Sequence, residues 1–227
     1  MKSALRLAAF LPALFIAVSA NAADLSGEVG VVSDYRYRGL SLSEGKPALQ
    51  ATLDADLGKG AYASLWFSTI REEGNTHAEL EADIGKEFEL ASNVTLDLSA
   101  TYYAYPSSPH DSYAEGSAIL SATCGALTGK AGASFVPAQR ALENVQGIRH
   151  GNAYYFLGAE YALPKMPVKL TAQAGYERGP FDEAQQGGKW DWSLGAEGEM
   201  HGIRLGVTYV ASDVAGARMV GSATVKF

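Results

Sequence analysis

The sequence predicts an all-β protein, a transmembrane antiparallel up-and-down β-barrel of about twelve strands. Three observations lead to this fold class. Apolar and polar residues alternate with a period of two over most of the chain after residue 22, which is typical of strands whose two faces meet different surroundings. Short and long connections alternate between these segments. Most of the charged residues in the strands fall on one of the two strand faces.

The first 22 residues have the features of a secretory signal peptide. Two basic residues, Lys2 and Arg6, are followed by an apolar run from Leu7 to Val18 and by a small-x-small cleavage pattern that ends at Ala22. The run is shorter than the roughly 20 residues that a membrane-spanning helix needs. We therefore expect residues 1–22 to be a signal peptide cleaved after Ala22, and residues 23–227 to form the barrel.

Twelve segments show the alternation that predicts strands. It is clearest between residues 78 and 85, where three acidic positions alternate with apolar ones; a helix would mix these two sets around its circumference. Ten or fourteen strands are also compatible with the pattern. In chain order the segments are Val29–Tyr37, Leu49–Leu57, Ala61–Thr69, Ala78–Gly85, Val94–Ala104, Tyr113–Cys124, Lys130–Phe135, Tyr154–Leu163, Val168–Glu177, Trp190–Glu197, Ile203–Val210 and Met219–Phe227.

The connections support a barrel of outer-membrane type. Turns after even-numbered segments are short, such as Gly58-Lys59-Gly60 and His201-Gly202, whereas those after odd-numbered segments are mostly longer, such as 137–151 and 179–188. Outer-membrane barrels have short turns on the periplasmic rim and long loops on the other. An apolar band of about 25 Å, crossed by strands tilted about 40°, needs on the order of 10 residues per strand. Twelve such strands fit this chain length.

The charged face of the strands predicts a polar lumen. In a soluble β-sandwich the same residues would lie on the solvated outer faces. Several residues on the opposite face are only Ala or Gly, which suit contact with lipid better than a tightly packed two-sheet core. We therefore predict the following lumen-lining residues: Asp34, Arg36, Arg38, Asp54, Asp56, Glu79, Glu81, Asp83, Asp97, Lys169, Glu177, Asp191, Glu197 and Arg204.

One cluster of these residues predicts an ion-pair network. Asp34, Arg36 and Arg38 are expected to share one face of the first strand. Charges inside a barrel need partners, and acids on the segment 78–85 could provide them. A role in packing the barrel wall, without significance for transport, is the alternative.

Composition excludes several classes of protein. The chain has 18 Lys and Arg residues against 25 Asp and Glu residues, a formal net charge of −7. Loss of residues 1–22 removes Lys2 and Arg6 and no acid, which leaves 16 bases, 25 acids and a net charge of −9. This excess of acid argues against a nucleic-acid-binding protein. The single cysteine, Cys124, excludes an internal disulfide.

The residues give no sign of an active site. The four histidines, His77, His110, His150 and His201, are predicted to lie in turns or loops without the spacing of metal ligands. Neither a Gly-x-Ser-x-Gly elbow nor a Walker-type loop occurs. We therefore expect no enzymatic activity, cofactor or metal, although a lipid-modifying enzyme of the outer membrane is a less favoured alternative.

The first predicted hairpin resembles a known family. The run Val31-Val32-Ser33-Asp34-Tyr35-Arg36-Tyr37-Arg38-Gly39-Leu40-Ser41, followed by Lys46-Pro47-Ala48-Leu49-Gln50, is similar to the signature of the TorF family of porins. The family pattern is close to S-D-Y-R-F-R-G-x-S and then P-A-x-Q. Tyr37 replaces its usual Phe and Leu40 its usual Ile. The resemblance implies a small proteobacterial outer-membrane barrel with a pore function.

The last residue of the chain, Phe227, is in phase with the apolar face of its strand. A terminal aromatic residue in this position resembles the C-terminal signal that the barrel-assembly machinery recognises. We expect Phe227 to act as that assembly signal.

Together these observations predict a protein of the Gram-negative cell outer membrane, in contact with outer-membrane lipid, that forms a narrow passive channel for small hydrophilic solutes or ions. An acid-rich lumen should favour cations. The same sequence pattern is also compatible with a non-conducting structural or adhesive barrel and with a soluble periplasmic β protein. A homo-oligomer is compatible with the sequence.

Overall fold

The computed structural model describes residues 24–72, 76–184 and 187–227. The predicted signal peptide lies outside these residues. Two short 3₁₀ helices, Pro109–Asp111 and Arg140–Leu142, lie in loops. No helix of the described ranges is long and apolar enough to cross a membrane.

Twelve strands close into a single antiparallel barrel, which confirms the predicted fold class. β1 pairs with both β4 and β14 and so closes the ring. A separate two-stranded ribbon is formed by β2 (Arg36–Tyr37) and β3 (Leu40–Ser41). The barrel strands are β1 (Asp24–Val32), β4 (Ala48–Gly58), β5 (Ala61–Glu72), β6 (Thr76–Ala91), β7 (Val94–Ala104), β8 (Tyr113–Cys124), β9 (Leu127–Val136), β10 (Asn152–Ala162), β11 (Val168–Arg178), β12 (Lys189–Met200), β13 (Ile203–Ser212) and β14 (Arg218–Lys226).

The two faces of each strand differ as the alternation predicts. Large apolar side chains stand exposed on the outer face, among them Leu157 at 68% and Leu194 at 61% exposure. Most of their chain neighbours are polar or small and point to the lumen, because successive strand residues face opposite sides; Phe156, beside Leu157, is a large apolar exception that packs with Tyr154. Such exposed apolar residues occur on most strands of the barrel; we call them the outer apolar belt, since outer-membrane barrels contact lipid through residues of this kind.

The two rims differ in the length of their connections. On one rim the turns have two residues, except for 163–167. Lys59 and Gly60 show how such a turn forms, since their φ angles of 56° and 77° are the positive values that a type I′ hairpin turn requires. The opposite rim carries the loops 33–47, 105–112, 137–151 and 179–188, and both ends of the barrel chain lie on the short-turn side.

The first strand differs from its prediction. β1 begins at Asp24 and ends at Val32, and the segment expected to continue it to Tyr37 turns away from the wall into the lumen. We call residues 34–43, which contain β2 and β3, the crossing hairpin. Arg38 and Gly39 form its two-residue tip with φ angles of 47° and 86°, again the geometry of a type I′ turn.

A cluster of buried aromatic and aliphatic residues surrounds the crossing hairpin. Tyr35 of the hairpin belongs to the same buried cluster as Ile70, Tyr103, Tyr113 and Val136 of the barrel wall. This cluster lies toward the long-loop rim, and it fills a part of the lumen that would otherwise be open to water. The packed part of the molecule is therefore inside the barrel, at one end.

Candidate functional site in the barrel lumen

One side of the lumen carries charges that are paired with each other. Acidic and basic side chains of β1 and β9–β14 form a ladder of ion pairs, which we call the paired wall. Its side chains are between 27% and 58% exposed, so each pair contributes modestly to stability. The pairs are Lys130–Glu160 at 2.6 Å, Lys169–Glu160 at 3.4 Å, Lys169–Glu197 at 3.0 Å, Arg204–Glu28 at 3.1 Å and Lys226–Glu28 at 3.4 Å.

On the opposite side of the lumen, carboxylates accept hydrogen bonds from side-chain hydroxyl groups. Ser64 donates a hydrogen bond to Asp54 at 2.5 Å, Thr101 to Asp83 at 2.7 Å, and Tyr62 to Asp97 at 3.2 Å. These acids, with Glu81 of β6, form what we call the acidic wall: Asp54, Glu81, Asp83 and Asp97. Among the described residues, none of the four forms a salt bridge.

A water-accessible chamber borders the acidic wall. It has a volume of about 500 Å³, and Glu81, Asp83 and Asp97 line it together with aromatic and hydroxyl side chains. Its lining residues come from the middle parts of β4–β8, from the short-turn half of β5, and from Tyr35 and Tyr37 of the crossing hairpin. The lining contains no basic residue, so the only charge that its own side chains can carry is negative.

The remaining predicted lumen residues occupy separate positions. Asp56 lies at the short-turn rim, where its carboxylate accepts the backbone N–H of Gly58 at 2.7 Å. Glu79 is buried on β6 and accepts a hydrogen bond from the Tyr105 hydroxyl at 2.8 Å. Asp191 is buried on β12 and accepts one from Tyr154 at 3.2 Å.

Asp34, Arg36 and Arg38 do not share a face of the first strand, and that prediction is wrong. All three belong to the crossing hairpin, and Arg36 pairs with Asp34 of the same hairpin at 2.7 Å. Ser41 and Ser43 also donate to Asp34, at 2.5 and 3.1 Å. Burial of Asp34 opposes its ionisation, but the hydrogen bonds from Ser41, Arg36 and Ser43 outweigh this and hold the pKa of the carboxyl below its usual value.

Arg38, at the tip of the hairpin, binds two strands of the barrel wall. Its Nη2 donates to both carboxylate oxygens of Glu115 on β8, at 2.7 Å each, and its Nη1 donates to Glu177 on β11 at 2.8 Å. The guanidinium also lies 4.2 Å from the ring centroid of Tyr154, within the range of a cation–π contact. The arginine therefore bridges two strands that do not neighbour each other in the barrel.

Glu177 is the centre of this buried network. Besides its bond from Arg38, the Glu177 carboxylate pairs with Lys189 Nζ at 2.6 Å and accepts a hydrogen bond from the side-chain amide of Asn152 at 3.0 Å. Lys189 is fully buried, so its charge depends on this pairing. The sequence indicated Arg38 and Glu177 but not that they meet, and it favoured acids of β6 as partners instead.

Three further members of the network, Glu115, Lys189 and Asn152, are not among the residues that the sequence predicts. Glu115 follows Tyr113 by two residues and so shares its strand face, a signal that places it in the lumen. Lys189 lies one residue before the predicted start of its strand, and Asn152 lies two residues before the start of its own. Nothing in the sequence indicates that these side chains converge with Arg38 and Glu177.

An aromatic layer accompanies the ion pairs across the lumen. The hydroxyls of Tyr37 and Tyr103 are 2.9 Å apart, and the rings of Tyr103 and Tyr113 stack with centroids 4.5 Å apart. Phe181 of the loop 179–188 packs on Tyr113 at 4.8 Å. The layer links the crossing hairpin to the wall and to a long loop.

The crossing hairpin separates two cavities. A vestibule of about 260 Å³ opens among the long loops, with Asp111, Ala141 and Phe181 in its lining. The chamber lies on the other side, and Tyr37 of the hairpin lines both. A solute moving along the barrel axis between the two would meet the hairpin.

The predicted positions of the histidines are correct for three of the four. His110 and His150 lie in long loops and His201 in a short turn, but His77 is part of β6. In the described part of the chain, no group of three or more His, Cys, Asp or Glu side chains has the arrangement of a metal site.

Several solved outer-membrane channels have a similar architecture. The KdgM porin matches with a TM-score of 0.62 and 8% identity, over 89% of this chain and 99% of that protein. The NanC porin matches with a TM-score of 0.58 and 11% identity, over 89% and 98%. The COG4313 outer membrane channel from Pseudomonas putida F1 matches with a TM-score of 0.56 and 10% identity, over 92% of this chain and 97% of that protein. At these identities the likeness shows a porin-like fold.

Sequence comparison gives the family. No curated protein matches this sequence. A family model described as "Bacterial protein of unknown function (Gcw_chp)" matches residues 17–226, a range that includes all twelve barrel strands. The chain therefore belongs to the Gcw_chp family of bacterial proteins.

Proposed function

We propose that the protein is a porin of the Gram-negative outer membrane, related to the TorF family, that provides a narrow passive channel favouring small cations. The signal-peptide features of residues 1–22 and the outer apolar belt support export and assembly into that membrane. The fold shared with known channels supports a transport role rather than an enzymatic one.

The acidic wall is the observation on which the cation preference rests. Its aspartates are held by hydroxyl donors and not by bases, so their charge is not cancelled locally. The paired wall opposite carries both signs and contributes little net charge. Fixed carboxylates in a confined lumen raise the local concentration of cations and lower that of anions.

The size of the lumen supports a narrow channel. An eight-stranded barrel is filled by its own side chains, whereas barrels of sixteen to eighteen strands leave an open aqueous channel. The twelve strands of this barrel lie between these cases. The chamber of about 500 Å³ suits hydrated ions and small polar solutes.

Reversal potentials in planar bilayers test this function. Purified protein, whose folding is checked by heat-modifiable gel mobility, is inserted between solutions that differ tenfold in KCl concentration. We expect ion conductance, with a reversal potential of the sign that a cation-selective pore gives. An anion-selective pore would contradict the cation preference, and a complete lack of conductance in the protein and all its variants would contradict the channel itself.

The crossing hairpin favours a second candidate, a non-conducting structural or adhesive barrel. In that case the buried network would serve as a permanent plug and the long loops 137–151 and 179–188 would carry the function. The two candidates differ in a single measurement, because a permanent plug gives silent bilayers under every condition.

A further inference from the structure

The two arms of the crossing hairpin are joined to each other by a set of internal hydrogen bonds. Arg36 bonds Asp34 at 2.7 Å and the backbone oxygen of Gly39 at 3.0 Å. The Leu42 N–H donates to the backbone oxygen of Tyr35 at 2.8 Å, and the Tyr35 N–H donates to Ser43 Oγ at 2.8 Å. These bonds tie both arms of the hairpin together, so it can move as one unit.

The distal half of the hairpin has few ties to the wall. Tyr37 meets Tyr103 through their hydroxyls, Arg36 donates to the backbone oxygen of Gly216 at 2.8 Å, and Arg38 holds Glu115 and Glu177. No strand of the barrel pairs its backbone with β2 or β3. All these ties are made by side chains of the hairpin.

The tip fits closely against the wall that it meets. A Cβ added to Gly39 would lie 2.8 Å from Ser212 Cβ and 3.0 Å from Asp191 Cβ. Only a glycine, which also tolerates the positive φ of this position, lets the hairpin reach β12 and β13. The backbone of the tip thus lies against β12 and β13, while the side chains of Tyr37 and Arg38 reach across the lumen to β7 and β8.

We propose that the crossing hairpin is the gate of the channel, and that Arg38 holds it shut by bridging Glu115 of β8 and Glu177 of β11. Conduction then requires the tip to leave these two carboxylates and swing toward its roots, which joins the vestibule to the chamber. This inference rests on the proposed channel function.

The charges of the bridge explain how one residue can control the gate. Arg38 and its two acidic partners are nearly buried, with side-chain exposures of 8%, 4% and 2%. Breaking a buried pair by removing one member leaves the other charge without compensation. Without Arg38, Glu115 has no basic partner in the described residues, and hydration of that carboxylate favours water in place of the hairpin.

Single-channel recording of the Arg38→Ala variant tests the gate. We expect the fraction of time spent in the conducting state to rise at least tenfold over the unmodified protein, with the conductance of the open state unchanged. Arg38→Lys should fall between the two, because a lysine keeps the charge but cannot bridge both carboxylates with a planar fork. Arg149→Ala, which removes an exposed ion pair with Glu143 in the loop 137–151 outside the lumen, is the matched control and should behave as the unmodified protein does.

Thiol labelling gives a second, independent readout. Cys124 is exposed and is first replaced by serine, and Ser64 on the chamber side is changed to cysteine. A charged thiol reagent added on the long-loop side should modify this cysteine at least tenfold faster when Arg38→Ala is also present. Glu115→Gln, which keeps Arg38 paired with Glu177, replaces Arg38→Ala in both assays if the alanine variant lacks heat-modifiable mobility.

The outcomes separate the gate from the channel. Equal open times and equal labelling rates in the Arg38 variants and the unmodified protein would overturn the gate while leaving a conducting pore intact. Silence of every variant, together with rapid labelling in Arg38→Ala, would overturn the proposed channel function instead.

Discussion

Arg38 and Glu115 form a bidentate ion pair across the barrel lumen: both carboxylate oxygens of Glu115 accept from Nη2 of Arg38 at 2.7 Å. The two residues are 77 positions apart in the chain. Arg38 stands at the tip of a hairpin between β1 and β4, whereas Glu115 belongs to β8. A local turn and a distant strand are thereby fixed to each other, and this contact gives the lumen its crossing structure.

The Arg38–Glu115 pair predicts how much stability each of three variants loses relative to the others. Arg38→Ala leaves the buried carboxylate of Glu115 without a basic partner, while Glu177 keeps Lys189, and it should lower the free energy of unfolding by about 3–5 kcal/mol. Glu115→Gln leaves Arg38 paired with Glu177 and should cost less, about 1–3 kcal/mol. Urea unfolding of the protein refolded into lipid vesicles measures both values. Arg204→Ala, which breaks a partly exposed pair, should cost no more than about 1 kcal/mol, and a larger loss there than in Arg38→Ala would reverse the expected order.

Neutralising the acidic wall should weaken the cation preference. Asp83→Asn and Asp97→Asn each remove one chamber carboxylate while the amide oxygen can still accept from Thr101 or Tyr62. We expect each change to reduce the cation-to-anion permeability ratio by about two- to fivefold, since a unit charge at close range in water is worth about 1 kcal/mol. Reversal potentials in a KCl gradient measure the ratio.

A matched control for these variants is Glu143→Gln. Glu143 lies in the loop 137–151, where its carboxylate pairs with Arg149 outside the barrel. Its neutralisation should leave the reversal potential unchanged. If it shifted the reversal potential as far as the chamber variants do, the selectivity would come from the surface charge of the protein and not from the acidic wall.

The pKa of Asp34 sets the pH dependence of the crossing hairpin. Because hydrogen bonds from Ser41, Arg36 and Ser43 hold this pKa below its usual value, the ionised carboxylate stabilises the folded state above the ordinary carboxyl pKa of about 3.9. That contribution is lost as the pH falls through the lowered pKa of the folded state. Unfolding free energies measured from pH 7 downward should therefore fall less steeply in Asp34→Asn than in the unmodified protein. Parallel curves would show that Asp34 contributes nothing to this dependence.

The barrel could be predicted from the sequence because its signals are local. Alternation is a property of neighbouring residues, and the segments 78–85 and 168–177 keep their phase in β6 and β11. The lengths of the connections give the two rims. Consecutive strands pair in antiparallel fashion, so only the closure of the ring remains to be explained. Closure is favoured because an open sheet would have unpaired backbone groups at its two edges.

The crossing hairpin could not be predicted in the same way. Residues 34–38 alternate charged and aromatic side chains as a strand of the barrel wall would. What turns them inward is Arg38 binding Glu115 and Glu177, which follow 77 and 139 residues later. A pattern within one segment contains no information about partners so far along the chain, and the local preference for a strand is overridden by this tertiary contact.

The expected role of Phe227 as an assembly signal predicts that its aromatic ring matters for assembly in cells but not for the stability of the folded barrel. Phe227 is 78% exposed and exchanges backbone hydrogen bonds with Gly27 at 2.9 and 3.0 Å. Phe227→Ala keeps these bonds but removes the ring, so we expect less folded protein in the outer membrane of producing cells and near-normal refolding in detergent. Heat-modifiable gel mobility quantifies the folded fraction in both settings. The control Phe88→Ala removes another outward phenylalanine and should affect neither; an equal loss in both variants would mean that a terminal signal is not involved.

The glycines of the lumen wall make room for rings from neighbouring strands. A Cβ on Gly175 of β11 would overlap the hydroxyl of Tyr154. The ring cannot simply move, because its hydroxyl bonds Asp191 at 3.2 Å and Gln173 at 3.1 Å. Gly175→Ala should therefore lower the free energy of unfolding by about 1–3 kcal/mol. Urea unfolding in lipid vesicles compares it with Gly129→Ala on β9, where an added Cβ meets nothing within 4 Å. That variant should be neutral or more stable by up to about 1 kcal/mol, and equal losses at the two sites would place the cost in the strand backbone and not in the displaced tyrosine.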